Sequence, residues 1–149
     1  MPKKFEHTLT IKEKHLDTFG HVNNAVYLEL YEQARWDFIT EEGYGLNEVQ
    51  NSGLGPVILE LNLKFKAEIK NREEIRIESQ FKELKNPLVM VLSQKMINAQ
   101  NKVASELELT VGIMDLRKRK LVRPHIKWLK AIGLSEKEVS EIFNTKSEV

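Results

Sequence analysis

Cysteine is absent from this 149-residue chain, and glycine and proline are scarce, with 7 and 4 residues. Without cysteine the chain can form no disulfide, thiolate metal site or cysteine nucleophile, and a reducing compartment is permitted. A hydrophobic content of 41% with 30% charged residues argues against disorder and collagen-like repeats. One domain of this length would bury roughly 70% of the surface of its unfolded form, so its core needs no cross-links.

Long apolar runs and an excess of charge of one sign are also missing. Lys and Arg number 23 against 22 Asp and Glu, so nothing marks a polyanionic partner such as nucleic acid. No segment approaches the roughly 18 uninterrupted apolar residues of a membrane span. The N-terminal MPKKFEHTLT has two lysines but no apolar stretch behind them. We expect a soluble, cytoplasmic protein without a membrane span.

The first third of the chain predicts a strand, a loop and one long helix. Apolar residues alternate from Phe5 to Ile11, which is the period of a strand with one buried face. The segment 15–21 supplies the Asp and Gly of a loop. Apolar residues then recur at every fourth position from Val22 to Phe38, which predicts a helix with one broad apolar face that ends at Gly43.

The rest of the chain predicts four antiparallel strands and two short helices. A glycine-rich loop at 53–56 precedes a strand that alternates from Leu59 to Ile69, and two hairpins lead to a regular last strand over 103–113. Ser135 to Glu138 fits a capping box at a terminal helix. The order predicts an α+β domain in which one helix covers one face of a single antiparallel sheet.

The common nucleophile, nucleotide and metal motifs are absent. No G-x-S-x-G, Walker lysine loop, G-x-G-x-x-G or H-E-x-x-H occurs, and the pair His15/His21 has no carboxylate or thiolate company, so we predict no metal site. The basic run 117–120, with Arg123 behind it, is a solvated strand end or hairpin turn in the first interpretation and a docking point for phosphates in the second. Few aromatic residues surround it, which favours a nucleotide-bearing small molecule over nucleic acid.

The most informative stretch runs from Asp17 to Tyr27 and joins a loop carboxylate to the first turn of the long helix. Free backbone N–H groups at a helix N-terminus, with the helix dipole behind them, can stabilise an oxyanion that forms on a carbonyl. A carboxylate opposite them could attack that carbonyl or deprotonate a water. Thioesters suit such a pair, because a thiolate whose thiol has a pKa of about 8.5 departs without a strong general acid.

Taken one at a time, these residues have ordinary structural interpretations. Asp17 alone is most often an Asx-turn residue, and Asn23 or Asn24 alone is most often an N-cap. His21 is interpreted as a polar loop residue, and Glu32 with Arg35 as a surface pair on the helix.

The combined pattern Asp17-x-x-Gly20-His21-Val22-Asn23-Asn24-x-x-Tyr27, continued by Glu32-x-Ala34-Arg35, resembles the signature of the 4-hydroxybenzoyl-CoA thioesterase-like acyl-CoA thioesterases. The likeness implies the hot-dog fold of that family, a five-stranded antiparallel sheet wrapped around one central helix, here followed by short C-terminal helices. It implies a single domain over 1–149, with a core at about 5–124 that resembles the family and a helical tail at 125–149. It also implies an enzyme that hydrolyses an acyl-CoA thioester to the free acid and CoA without a metal or cofactor.

The resemblance also assigns roles to individual residues. It makes Asp17 the catalytic carboxylate, as nucleophile or general base, and the backbone N–H of Asn24 the oxyanion donor. His21 joins them as a catalytic residue, and Asn23 and Tyr27 are expected to bind substrate.

The resemblance leaves assembly and the thiol carrier open. Protomers of the family pair edge to edge, and a curved sheet with free edges favours such pairing, so we expect a homodimer or homotetramer. The thiol carrier could be an acyl-carrier protein instead of CoA. A non-catalytic hot-dog module that binds acyl-CoA, or a protein partner through the helix with Val139, Ile142 and Phe143, is the alternative from another class.

Overall fold

The computed structural model describes residues 1–146, so the last part of the predicted tail, 147–149, lies outside the described residues. Within this range a short 3-10 turn at Glu13–His15 follows the first strand. The strands are β1 Lys4–Thr10, β2 Leu54–Phe65, β3 Glu74–Asn86, β4 Val89–Ile97, β5 Val103–Asp115 and β6 Lys120–Val122; the helices are α1 Asn24–Glu41, α2 Leu46–Ser52, α3 Ile126–Ala131 and α4 Glu136–Lys146. No helix in 1–146 is both long and apolar enough to cross a membrane.

The strands form one antiparallel sheet in the order β1-β3-β4-β5-β2, which is the five-stranded sheet that the sequence predicts. The short β6 is an addition. Val122 of β6 pairs with Ile113 of β5, and the neighbouring Gly112 pairs with Val89 at the start of β4. The strand β6 therefore continues the sheet along β5 beyond the start of β4. The β5–β6 connection is therefore a hairpin, as the first interpretation of the basic run proposed.

The structure differs from the sequence predictions at three points before and along β2. A short helix, α2, lies in a segment for which no element was predicted, because its 7 residues are too few to show a periodicity. The predicted loop at 53–56 is mostly strand, since Leu54 already pairs with Asp115. At its other end β2 stops at Phe65, and Ile69 is buried from a loop rather than from a strand.

Helix α1 packs across one face of the sheet, and within the predicted broad apolar face the flanking tyrosines are buried more deeply than the residues of the fourfold repeat at its start. Tyr31 is fully buried and its hydroxyl shares a hydrogen bond with Ser105 of β5, whereas Val26 and Leu30 are only half-buried. The tyrosines are long enough to reach the sheet and find a polar partner there, so they take the central positions. The buried residues of the helix are Tyr27, Tyr31, Ala34, Phe38 and Ile39.

A buried polar network joins α1 to the middle of the sheet. Gln94 of β4 is 1% exposed, and its Nε2 donates to the Tyr31 carbonyl at 3.1 Å and to Ser79 Oγ at 2.9 Å. Its Oε1 accepts a hydrogen bond from Arg35 Nη1 at 2.9 Å. Arg35 therefore turns inward instead of forming the expected surface pair with Glu32, and burial lowers the pKa of its guanidinium.

The C-terminal helices close one end of the core. Trp128 of α3 is buried and its indole N–H points at Met90 Sδ of β4. The predicted capping box is present, since Ser135 and Glu138 exchange backbone-to-side-chain hydrogen bonds of 2.9 and 3.2 Å. Val139 is buried, and Ile142 and Phe143 pack against the core, so much of the apolar face proposed for a protein partner is used inside the chain.

His125 precedes α3 and carries an unsatisfied polar atom. Its Nδ1 is buried, and no group among residues 1–146 bonds to it. The imidazole lies near the ring of Tyr44, with centroids 5.2 Å apart. Burial lowers the pKa of His125, because the charged imidazolium would lose its hydration there.

We predict that Gln94→Met lowers the free energy of unfolding by about 2 kcal/mol, because it leaves the buried Arg35 guanidinium without its hydrogen-bond acceptor. Urea unfolding followed by circular dichroism measures the change. The exposed Gln50 of α2 provides the matched control, Gln50→Met. Equal unfolding free energies for the two variants would contradict the conclusion that Gln94 stabilises the fold by binding Arg35.

Candidate active site

The loop 15–23 is a closed turn that delivers the chain to the start of α1. Leu16 and Val22 form an isolated antiparallel bridge. Inside it, Asp17 N donates to His21 O at 2.8 Å, and the loop reverses at Gly20, whose φ of 80° suits glycine. The backbone of the whole segment is thus tied together by its own hydrogen bonds.

Asp17 holds this loop with one carboxylate oxygen and leaves the other free. Its Oδ1 accepts hydrogen bonds from Phe19 N at 2.8 Å and His21 N at 3.1 Å, which is an Asx turn. Within residues 1–146 no donor bonds to Oδ2. The half-buried side chain is therefore oriented rigidly and still presents an oxygen that can act as a base or nucleophile.

The N-terminus of α1 follows this loop and presents a backbone N–H group that is free to bind a ligand. Asn23 is the N-cap: its Oδ1 accepts from Ala25 N at 2.9 Å, and its carbonyl accepts from Val26 N at 2.9 Å. Among the described residues nothing accepts a hydrogen bond from the N–H of Asn24, the first helical residue. That N–H is available to an anion or to a polarised carbonyl oxygen.

His21 and Tyr27 lie beside this junction, and each is close to a side chain from a distant part of the sequence. His21 Nδ1 is 3.8 Å from Glu68 Oε1, with both side chains largely exposed. Tyr27 is buried and its ring packs edge-on against Phe65, with centroids 4.9 Å apart. Burial, with the charge of Glu68 second, raises the pKa of the Tyr27 hydroxyl.

Glu68 and Phe65 are the neighbours that the sequence analysis missed. Both belong to the alternating segment interpreted as an ordinary strand, and no local motif marks them. The pairing of β2 with β5 sets where β2 ends, and Phe65 at that end contacts Tyr27 of α1. The structure thus gathers Asp17, His21 and Asn24 in one loop–helix junction.

His15 has a structural position in this loop. Its Nδ1 accepts a hydrogen bond from Lys12 N at 2.9 Å, and its carbonyl accepts from Asn23 N at 3.0 Å. Burial, followed by the charges of Lys14 and Lys12, lowers the pKa of the imidazole. The described residues contain no group of three or more His, Asp or Glu side chains arranged to hold a metal ion.

The sheet order, with one long helix across one face, defines a hot-dog fold. A hypothetical protein from Staphylococcus aureus, solved in complex with CoA, has this fold with a TM-score of 0.80 and 14% identity over 98% of this chain and 87% of its own. Residues 12–136 match the Thioesterase-like superfamily, and the chain belongs to this family. The predicted family, fold and enzyme class are thereby confirmed, and the protein is a thioester hydrolase.

Two curated relatives agree with this assignment. The long-chain acyl-CoA thioesterase FadM of Escherichia coli is 28% identical over 113 residues, which are 75% of this chain and 84% of FadM. The acyl-acyl carrier protein thioesterase ATL2 of Arabidopsis thaliana is 40% identical over 63 residues, which are 42% of this chain and 34% of ATL2.

We predict that Asn23→Ala lowers the free energy of unfolding by about 1 kcal/mol, since it removes the cap of α1, whereas Asn23→Ser retains most of it. Thermal and urea unfolding of both variants measure the effect. If turnover falls equally in the alanine and serine variants while stability falls only in the first, Asn23 also binds substrate. Two equally stable variants would contradict the capping role.

Proposed function

We propose that the protein hydrolyses acyl-CoA thioesters, with Asp17 as the reacting carboxylate and the Asn24 N–H as the oxyanion donor. The observation that carries the proposal is the junction of the two groups: a carboxylate with a free oxygen is held in the hydrogen-bonded loop that leads to a helix N-terminus with a free N–H. FadM, which matches over most of its own length, supports CoA as the thiol carrier.

In this mechanism the thioester carbonyl oxygen accepts a hydrogen bond from the Asn24 N–H, and the helix dipole favours the negative charge that develops on it. Asp17 Oδ2 either attacks the carbonyl carbon or takes a proton from a water that attacks it. The tetrahedral intermediate then expels the CoA thiolate. In the first case an acyl anhydride of Asp17 remains, and a water hydrolyses it to the free acid.

The neighbouring groups support the reacting pair. The backbone N–H of His21 holds the Asp17 carboxylate, so His21 contributes orientation as well as an imidazole at the rim of the site. Asn23 places the helix N-terminus, and Tyr27 with Phe65 forms an apolar wall beside it.

Asp17→Asn is expected to lower kcat for acyl-CoA hydrolysis by about a thousandfold, because an amide is neither a base nor a nucleophile at neutral pH. The amide oxygen can still accept the hydrogen bonds from Phe19 and His21, so the loop should fold normally. Free-thiol release from short, long and aromatic acyl-CoAs measures the loss. Asp37→Asn on α1 is the matched control and should keep full activity. An Asp17→Asn enzyme with normal turnover would disprove the assignment.

Acyl-carrier-protein thioesters are the second candidate substrates. ATL2 supports them over a shorter segment than FadM supports acyl-CoA, so we rank them second. The same thiol-release measurement with an acyl-carrier-protein substrate separates the two carriers.

We further propose that two protomers pair through β2. This strand is a free edge of the sheet, and Ile58, Leu61 and Phe65 are 42%, 45% and 53% exposed along it. The other edge, β1, has 7 residues against 12 in β2, and neither of its large apolar side chains, Phe5 and Leu9, is exposed. A second copy would cover the apolar side chains and pair the unpaired backbone groups of β2.

Leu61→Asp is expected to convert the dimer to a monomer, because a charge would be buried at the centre of the paired strands. Sedimentation velocity at micromolar concentration measures the assembly. Leu46 belongs to α2, outside the edge strand, and is 58% exposed, so Leu46→Asp is the matched control and should remain dimeric. A wild-type monomer would disprove pairing through β2.

A further inference from the structure

A groove lies between the edge strand β1 and helix α1. Strand β1 contributes His7 and Leu9 to its lining, and α1 contributes Leu30 and Gln33. The volume of the groove is about 390 Å³, and small-molecule sites ordinarily have roughly 300–1,000 Å³. The groove is therefore large enough to hold a small ligand. We call it the β1–α1 groove.

The β1–α1 groove combines an apolar floor with positive charge at one end. Leu9 and Leu30 are half-buried and pack against the core, so each presents part of its side chain to the groove. Lys12 and Lys14 line the groove and are exposed. Neither lysine forms an ion pair with another residue of 1–146. Their charge is therefore available to an external anion.

The imidazole of His15, which also lines the groove, responds to this charge. Burial, followed by the charges of Lys14 and Lys12, lowers the pKa of His15. The charge of Glu29 has the opposite effect on this pKa, and its effect is the smallest of the four. A positive potential therefore prevails at this end of the groove.

The other end of the groove is electrically balanced, and the distance between the two ends favours an elongated ligand. His7 Nδ1 lies 3.3 Å from Asp37 Oδ2. The chain from His7 to Lys12 is extended, so at about 3.4 Å per residue the two Cα atoms lie roughly 17 Å apart. A ligand with an anionic head at the lysines and an apolar tail over the two leucines satisfies both kinds of surface.

The β1–α1 groove is separate from the candidate active site but adjoins its loop. Strands β1 and β2 are opposite edges of the sheet, and Tyr27 of the active site packs against Phe65 of β2. A ligand in the groove therefore leaves that wall and the proposed dimer contact uncovered. His15 belongs to both regions, because it lines the groove and its carbonyl accepts a hydrogen bond from Asn23 N at 3.0 Å.

We propose that the β1–α1 groove binds a carboxylate with an apolar tail, which is the chemical class of the free acid that thioester hydrolysis releases. The carboxylate accepts charge-assisted hydrogen bonds from Lys12 and Lys14. The tail lies over Leu9 and Leu30, and its contribution to affinity grows with the apolar area that it buries. The inference uses only the membership of the thioesterase family, and not the roles proposed for residues of the loop–helix junction.

Methyl NMR of leucine-labelled protein, titrated with decanoate, tests the groove directly. Leu9→Met and Leu30→Met identify the two signals that report on its floor. We expect both signals to shift with decanoate, and to shift less with the same concentration of butanoate, which has a shorter tail. Decyltrimethylammonium, with the same tail and the opposite charge, should leave them unmoved. Signals that do not respond to decanoate would overturn the inference.

The double substitution Lys12→Gln/Lys14→Gln tests the charged end. We expect the Kd for decanoate, measured on the same two leucine signals, to rise about tenfold. The values of kcat and KM for an acyl thioester should not change, because the groove is separate from the substrate. Lys95→Gln/Lys137→Gln removes two exposed lysines elsewhere and is the matched control. An equal Kd in the two double variants, or a raised KM in the first, would overturn the inference.

A different occupant and a failure of the proposed function each give a distinct result. Co-sedimentation with phosphatidylglycerol vesicles that depends on Lys12 and Lys14, without a shift caused by decanoate, would indicate a lipid surface and overturn the inference. Normal turnover by Asp17→Asn would contradict the proposed catalytic role of Asp17. The Kd for decanoate at the groove would be the same in that variant as in the wild type.

Discussion

The buried hydrogen bonds of Gln94 determine where helix α1 lies, and the geometry of the candidate site depends on that position. Apolar contacts alone allow a helix to slide or rotate over a sheet, because they have no direction. Gln94 binds the carbonyl of Tyr31 and the guanidinium of Arg35, and Tyr31 binds Ser105 through its hydroxyl. These contacts fix the height and rotation of α1, and hence bring its first residue beside the end of β2.

The loop before α1 uses only some of its polar atoms to hold its own structure. Asp17 and Asn23 have the structural roles that such residues ordinarily have: Asp17 makes an Asx turn and Asn23 caps the helix. The proposed catalysis is compatible with these structural roles because each of them leaves a polar group of the motif without a hydrogen bond. Asp17 needs only Oδ1 for the turn, and the cap satisfies Ala25 without using the N–H of Asn24. Structural and functional interpretations of this motif are therefore compatible.

The sequence predicted those parts of the molecule that repeat locally. The alternation of β5, the fourfold spacing of α1 and the family motif from Asp17 to Tyr27 were sufficient for a five-stranded antiparallel sheet, the helix and the loop–helix junction, but not for the order of the strands in the sheet. Helix α2 and β6 were missed because each is too short for a period to appear. The inward turn of Arg35 and the approach of Glu68 depend on side chains from distant strands, which no local pattern encodes.

The unsatisfied Nδ1 of His125 links folding to proton uptake. In the unfolded chain this imidazole titrates near its ordinary value of 6.5, and in the folded chain its pKa is lower. As the pH falls from the unfolded value toward the folded one, the unfolded state takes up a proton that the folded state does not, and stability is lost. His15 acts in the same direction at the other end of the chain. Mild acid therefore lowers the free energy of unfolding of the chain through these two imidazoles.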